Sequence, residues 1–141
     1  MIREFLDQHR TMTLAVVDAD GPWAADVYYV RTGSALCYFS KPSSRHATAL
    51  EADPRAAATI HAEADGWRDI RGVQMEGEVG EVPGGREREM AIDAYLAKFP
   101  FARPLLAADL LAKVRFYRFT PTRVLWIDNS EGLGNRTEVT I

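Results

Sequence analysis

The chain has 141 residues, 47% of them hydrophobic and 26% charged, with a formal net charge of −3. That length and apolar share suit one domain, residues 1–141, with a core of its own. The negative balance, without a lysine or arginine block, speaks against nucleic acid and membrane surfaces as partners. No run reaches transmembrane length and the N-terminus lacks the apolar stretch of a signal peptide, so a cytoplasmic protein is expected. The single cysteine, Cys37, has no internal disulfide partner and fits a reducing compartment as a small buried hydrophobe.

In chain order, Ile2, Phe5, Leu6 and His9 fall at helical spacing, which predicts a short amphipathic helix over Met1 to His9. Met12 to Val17 reads as a strand, the turn around Asp20-Gly21 as a hairpin, and Trp23 to Arg31 as the answering strand. Thr32-Gly33-Ser34 turns the chain into a third strand, Ala35 to Ser40, completing an antiparallel meander. Ile70 to Val82 is a long strand, half-buried because Val73, Met75, Gly77 and Val79 alternate with polar neighbours. Gly72 and Gly77 within it suggest a bulge or a place where a ligand nears the backbone. Arg86 to Lys98 is a helix whose partial apolar stripe is Met90, Ile92, Ala94, Tyr95 and Leu96, and Leu105 to Ala112 a second short one. Lys113 to Thr120 and Arg123 to Asp128 are two strands separated by a turn at Pro121-Thr122, the second being the last strand expected, and the tail from Asn129 is polar and glycine-containing. About seven strands, mostly antiparallel, with short helices in the connections, predict a mainly β fold of the closed-barrel kind.

The stretch from Ala35 to Glu63 carries the chemistry. A buried strand ends at Ser40, Lys41-Pro42-Ser43-Ser44 breaks it, and Ser43 or Ser44 is placed to cap a helix that Asp53-Pro54 stops. A strand from Ala56 follows. Arg45 and His46 fall in the first helical turn, where the macrodipole disfavours cations. Serine hydroxyls, free backbone N–H groups and two basic side chains together suit a phosphate. A solvated helix start with two incidental bases would look the same.

Other constellations are weaker. His9, His46 and His61 share no metal-ligand spacing, and no nucleophile elbow surrounds a serine. Glu76 and Glu78 share one side of their strand as a solvated face, and Gly132-x-Gly134 is followed by no helix that would make it a dinucleotide fingerprint. Aromatic residues fall repeatedly on strands, among them Trp23, Tyr28, Tyr29, Tyr38, Phe39, Phe116, Tyr117 and Trp126. Most belong to a core; a planar ligand in a barrel groove would need a few at the rim.

Several stretches in order carry a resemblance. They are Met12 to Val17 with Asp20-Gly21-Pro22, then Leu36-Cys37-Tyr38-Phe39-Ser40 and Ser43-Ser44-Arg45-His46. Leu50-x-x-Asp53-Pro54-x-Ala56 and Arg71 to Val79 continue it. Together they resemble the FMN-binding split-barrel superfamily, which includes the pyridoxamine 5′-phosphate oxidases. The stretch from Tyr95-x-x-Lys98-Phe99-Pro100 to Gly134 is similar to a small branch of uncharacterised bacterial members.

The resemblance implies a split β-barrel of antiparallel Greek-key type, a homodimer, and FMN in a groove between the subunits. It implies that Ser44, Arg45 and His46 hold the FMN phosphate, His46 adding charge only when protonated. The flavin ring would lie beside Val27-Tyr28 and Phe39-Ser40, with Trp126 of the partner subunit against it. Two departures stand out. The second-strand arginine of the oxidases falls near Ala25 or Asp26, and their C-terminal arginine-x-histidine-arginine segment is represented only by Arg136. Pyridoxamine phosphate is therefore not the expected substrate. Haem degradation is not expected either, because no histidine follows His61. The expectation is an FMN-binding oxidoreductase of unknown substrate; the alternative is a non-enzymatic dimeric binder or sensor of a flavin, a deazaflavin or another phosphorylated ligand.

Overall fold

A tight hairpin starts the barrel. In the computed structural model, which describes residues 1–107 and 113–141, helix α1 (Ile2–Gln8) leads into β1 (Thr11–Asp18) and β2 (Gly21–Thr32). Asp18 pairs with Gly21, and Gly21 supplies the positive φ of 113° that closes the turn. β3 (Ala35–Ser40) pairs back on β2. Helix α2 (Arg45–Ala52) then crosses to β4 (Arg55–His61), and a short 3-10 turn leads to β5 (Arg71–Glu81). Helices α3 (Arg86–Lys98) and α4 (Ala102–Ala107) precede β6 (Arg115–Asp128), and β7 (Arg136–Val139) ends the chain. The sheet order is β3-β2-β1-β4-β5-β6-β7, and β3 also pairs with β6. That last pairing closes six antiparallel strands into a barrel, with β7 added outside on β6.

Alternation decides what lies inside. Met12, Leu14 and Val16 of β1, Ala56, Ala58 and Ile60 of β4, and Val73 and Met75 of β5 point into the barrel core. Their neighbours Ala15, Ala57, Thr59 and Gln74 face outward. β3 breaks the pattern because both of its faces are covered. Leu36 and Tyr38 enter the barrel, while Cys37 joins Val30 and Phe116 in a second apolar layer beneath Ala91 and Tyr95 of α3 and Phe99 beyond it. A strand buried on both faces reads as an unbroken apolar run.

Four expectations need correction. The two strands expected on either side of Pro121-Thr122 are one, β6. The register shifts between Glu76 and Gly77, which pairs with Pro121, and at this bulge the missing proline N–H costs no ladder bond. Thr122 Oγ1 donates instead to the Glu76 carbonyl at 3.2 Å. A Cβ at Gly77 would meet the Thr120 carbonyl and the Phe119 ring, so what nears this glycine is the neighbouring strand.

The tail is ordered too, forming β7. The Asp128 side chain accepts from Ser130 N, Asn129 Oδ1 accepts from Gly134 N at 3.1 Å, and Gly132 and Gly134 take positive φ to turn the chain back. Polar residues that read as a loop are the ones that bond this reversal.

On α3 the buried line is Ala91 and Tyr95, and Met90, expected in the stripe, is 60% exposed. The helix expected over Leu105 to Ala112 begins earlier, at Ala102, and its part from 108 to 112 lies outside the described residues. Among the described residues no helix is long and apolar enough to cross a membrane.

Candidate functional site

Ser40 ends β3 on the inward side, one residue after the outward Phe39. Two residues of loop and the Lys41 turn, whose carbonyl accepts from Ser44 N at 3.1 Å, bring Ser44 to the start of α2. Its side chain caps the helix by accepting from Ala47 N. The helix itself leaves the amides of Arg45 and His46 unused.

His46 turns inward and is buried. Its Nε2 lies 2.7 Å from Ser40 Oγ and 3.4 Å from Ser44 Oγ, and the two hydroxyls are 3.3 Å apart. Ser40, Ser44 and His46 thus form a triangle in which each group can donate or accept. Burial pushes the imidazole below its ordinary pKa, so His46 is neutral at neutral pH. The expected second cation of the segment is a neutral hydrogen-bonding group in the folded chain.

Arg45 turns the other way. Its Nε donates to Asp18 Oδ2 at 2.8 Å and its Nη2 to Asp18 Oδ1 at 3.0 Å. The guanidinium lies over the Trp23 ring, 4.6 Å from the centroid. Asp18 is itself fixed in the hairpin turn by accepting from Asp20 N at 2.9 Å. The arginine hydrogen bonds hold the Asp18 carboxyl below the usual range and raise Arg45. The fork expected to face a phosphate is, in this structure, given to an internal carboxylate.

The expected ring-facing residues divide between three places. Val27 is buried in the barrel core. Tyr28 and Phe39 both lie on the outer face under α3. Tyr28 is 50% exposed and meets Phe99 and Phe101 edge-on, with centroids 5.7 and 6.1 Å away. Phe39 is more enclosed, packed on Tyr95 and Phe116 at 4.8 and 4.3 Å, and backs the second apolar layer instead of standing at a rim. Trp126 sits far along β6 opposite Val73, edge-on to Phe5 at 4.9 Å, and meets none of the others within one chain. Sequence reasoning missed Asp18, Trp23 and Phe101. Asp18 was legible only as a turn residue, since nothing local pairs it with a side chain 27 positions away.

Two hydroxyls, an imidazole and two free first-turn amides fit a phosphate, and Arg45 would join them only by leaving Asp18. The set is one cation poorer than the family pattern, because the second-strand position is Ala25 or Asp26 and Asp26 accepts from Thr13 Oγ1.

A closed antiparallel barrel with short helices in its connections defines a split-barrel protein. The family model for pyridoxamine 5′-phosphate oxidase matches residues 1–127, and the chain belongs to that family. A UPF0306 protein of Photorhabdus laumondii is 22% identical over 138 residues, covering 96% of this chain and 91% of its own. A heme binding protein from Mycobacterium smegmatis superposes with a TM-score of 0.80 at 25% identity; the match covers 98% of this chain and 55% of that one, so this chain spans about half its length. A FAD-binding protein from Mesorhizobium loti shares the fold with a TM-score of 0.70 at 20% identity, covering 87% of each chain.

Proposed function

We propose that the chain binds FMN in a groove between two copies of itself and serves as a flavin-dependent oxidoreductase acting on a small molecule other than pyridoxamine phosphate. The observation that carries this reading is the convergence of Ser40 Oγ, Ser44 Oγ and His46 Nε2 at the start of α2, within 3.4 Å of one another. These groups coincide with the segment that resembles the FMN-phosphate site. Bound flavin would supply hydride or single-electron transfer; the protein supplies position and electrostatics.

The chain's own residues have definable parts. Ser40 and Ser44 turn their hydroxyls to the phosphate, Arg45 adds charge, and the first-turn amides complete the cup. Tyr28 offers a half-exposed ring to the isoalloxazine, with Phe39 and Val27 stiffening the strands behind it. Trp126 would come from the second copy. A homodimer is supported by the outer face of β1, β2 and β4, where Ala15, Ala24 and Ala57 make a flat small-residue surface. Val17, 66% exposed, extends it. The reduced, buried Cys37 goes with a cytoplasmic setting.

One observation favours a second reading. With its fork filled by Asp18, Arg45 offers less to a phosphate, which suits a non-catalytic binder of a flavin, a deazaflavin or another ligand, with haem included because of the mycobacterial neighbour. The test is the visible spectrum of the purified protein, then titration with FMN and with haem, then NADH and NADPH oxidation by whatever complex forms. Tight FMN binding with turnover supports the oxidoreductase; FMN binding without turnover, or haem binding alone, moves the chain to the second reading.

A further inference from the structure

Arg45 is the only arginine in the 41–52 segment, and its environment is built by another part of the chain. Guanidinium presents five N–H donors in a rigid fork, and the edge formed by Nε and one Nη is the one that grips a carboxylate or phosphate with two parallel bonds. Asp18 occupies that edge, at 2.8 and 3.0 Å. The contact is not a loose surface pair. Asp18 is tied to its turn by the Asp20 amide, and one face of the guanidinium lies against Trp23. Asp20 adds a second negative charge close enough to act on Arg45. Asp18, Trp23 and Arg45 come from β1, β2 and α2, so the hairpin and the helix are joined here through the cation.

Arg45 turns away from the Ser40–Ser44–His46 triangle, so a phosphate arriving there would gain the guanidinium only by drawing it off the Asp18 carboxylate and the Trp23 ring. It must displace that carboxylate or share the guanidinium with it, and in either case two anions crowd one cation. A ligand of the same shape without the phosphate pays neither cost.

We propose that Asp18 is a specificity-determining residue: an internal anion that competes for Arg45 and weakens phosphate-bearing ligands relative to neutral ones. This rests on the phosphate site proposed above. The wild-type chain then separates FMN from riboflavin less sharply than the Ser44-Arg45-His46 sequence suggests. Affinity for either depends on the hairpin that carries Asp18 as much as on the helix that carries Arg45.

The experiment compares the full-length wild type with Asp18→Asn and Asp18→Ser, each checked for an unchanged melting temperature, by titration with FMN, riboflavin and inorganic phosphate. Asparagine keeps the oxygen that accepts from Asp20 N and removes the charge; serine guards against a turn-specific failure of the first variant. FMN affinity should rise about tenfold in either variant while riboflavin affinity stays put. The rise should vanish when Arg45→Ala is added, because the effect acts through that side chain. Equal or weaker FMN binding in both folded variants, or a gain for riboflavin equal to that for FMN, overturns the proposal. If no protein binds any flavin, the flavin reading fails by itself. The role of Asp18 is then decided by inorganic phosphate: tighter binding to the variants supports it, and unchanged binding overturns it.

Discussion

His46 Nε2 and Ser40 Oγ share a 2.7 Å hydrogen bond between the first turn of α2 and the last residue of β3. In the ligand-free chain the imidazole is held neutral by burial, so the serine hydroxyl can donate to it. When the imidazole gains a proton, Nε2 becomes a donor and Ser40 is freed to donate elsewhere. Binding an anion at this triangle should therefore be coupled to proton uptake. FMN affinity is expected to strengthen as pH falls through the imidazole range, with riboflavin affinity flat. In His46→Asn the slope should disappear. Calorimetric titration in buffers of different ionisation enthalpy counts the protons directly.

The same histidine sets the sign of a stability effect without ligand. Its folded pKa lies below its unfolded one, so below the ordinary imidazole value the unfolded chain takes up the proton first. Stability from this group is present above that value and is lost as pH falls through it. Urea midpoints measured from pH 7.5 down to 5 should decline more in the wild type than in His46→Asn.

Lys98 offers a second titration, remote from the proposed phosphate. Its Nζ is buried without a hydrogen-bond partner, 4.1 Å from the Tyr29 ring centroid and 5.5 Å from that of Phe99. Burial pulls its pKa down to about 8, with Asp7 opposing and Arg10 and Arg31 reinforcing the shift. The unfolded chain then binds more protons between about 8 and the ordinary lysine value of 10.5, so this group makes stability rise with pH across that window. Lys98→Met should remove the rise and stabilise the chain at pH 7 by about 1 kcal/mol or more, because an unpaired buried charge is replaced by an apolar side chain of similar length. A variant less stable than wild type at pH 7 would show that Asp7 and the two rings outweigh the desolvation.

Gly77 tests the barrel's closure. A methyl group there would strike the Thr120 carbonyl and the buried Phe119 ring, about 2.8 Å from its nearest edge atom. Gly77→Ala should cost about 1–3 kcal/mol as an overpacked site at a fixed bulge. Gly80→Ala, three residues on in the same strand with open space around its Cβ position, should cost much less. Similar losses at both would mean the bulge is not rigid.

What was legible in the sequence was whatever local physics decides. The alternation along Met12–Val17 and Val73–Val79 marks strands with one buried face, and Ser44 before an alanine-rich turn marks a helix cap. Pro83-Gly84-Gly85 and Phe99-Pro100 bracket α3 at its observed ends. The order of these elements sufficed for the family. Contacts between distant positions were not legible. Pro121 reads as a turn because nothing nearby announces the bulge opposite Gly77, and β7 is hidden because its pairing partner is β6 and its own residues are polar. At the candidate site, Ser44, Arg45 and His46 could be grouped from their spacing, but the directions of their side chains could not, nor could the place of Ser40, expected beside the ring and found against Ser44 and His46. Arg45 and His46 are adjacent in sequence and point apart, one to a hairpin carboxylate and the other into the barrel end.

The central claim, that the start of α2 holds a ligand phosphate, is tested most directly by titrating wild type and Arg45→Ala with FMN and with riboflavin. A charge-assisted contact is worth roughly 1.5–3 kcal/mol, and because Asp18 competes for the guanidinium the loss should sit at the low end, an FMN affinity about tenfold weaker in the variant. Riboflavin, which lacks the phosphate, should bind the two proteins equally. An equal loss for both ligands, or no loss for either, would contradict the assignment of the Ser44-Arg45-His46 turn to a phosphate.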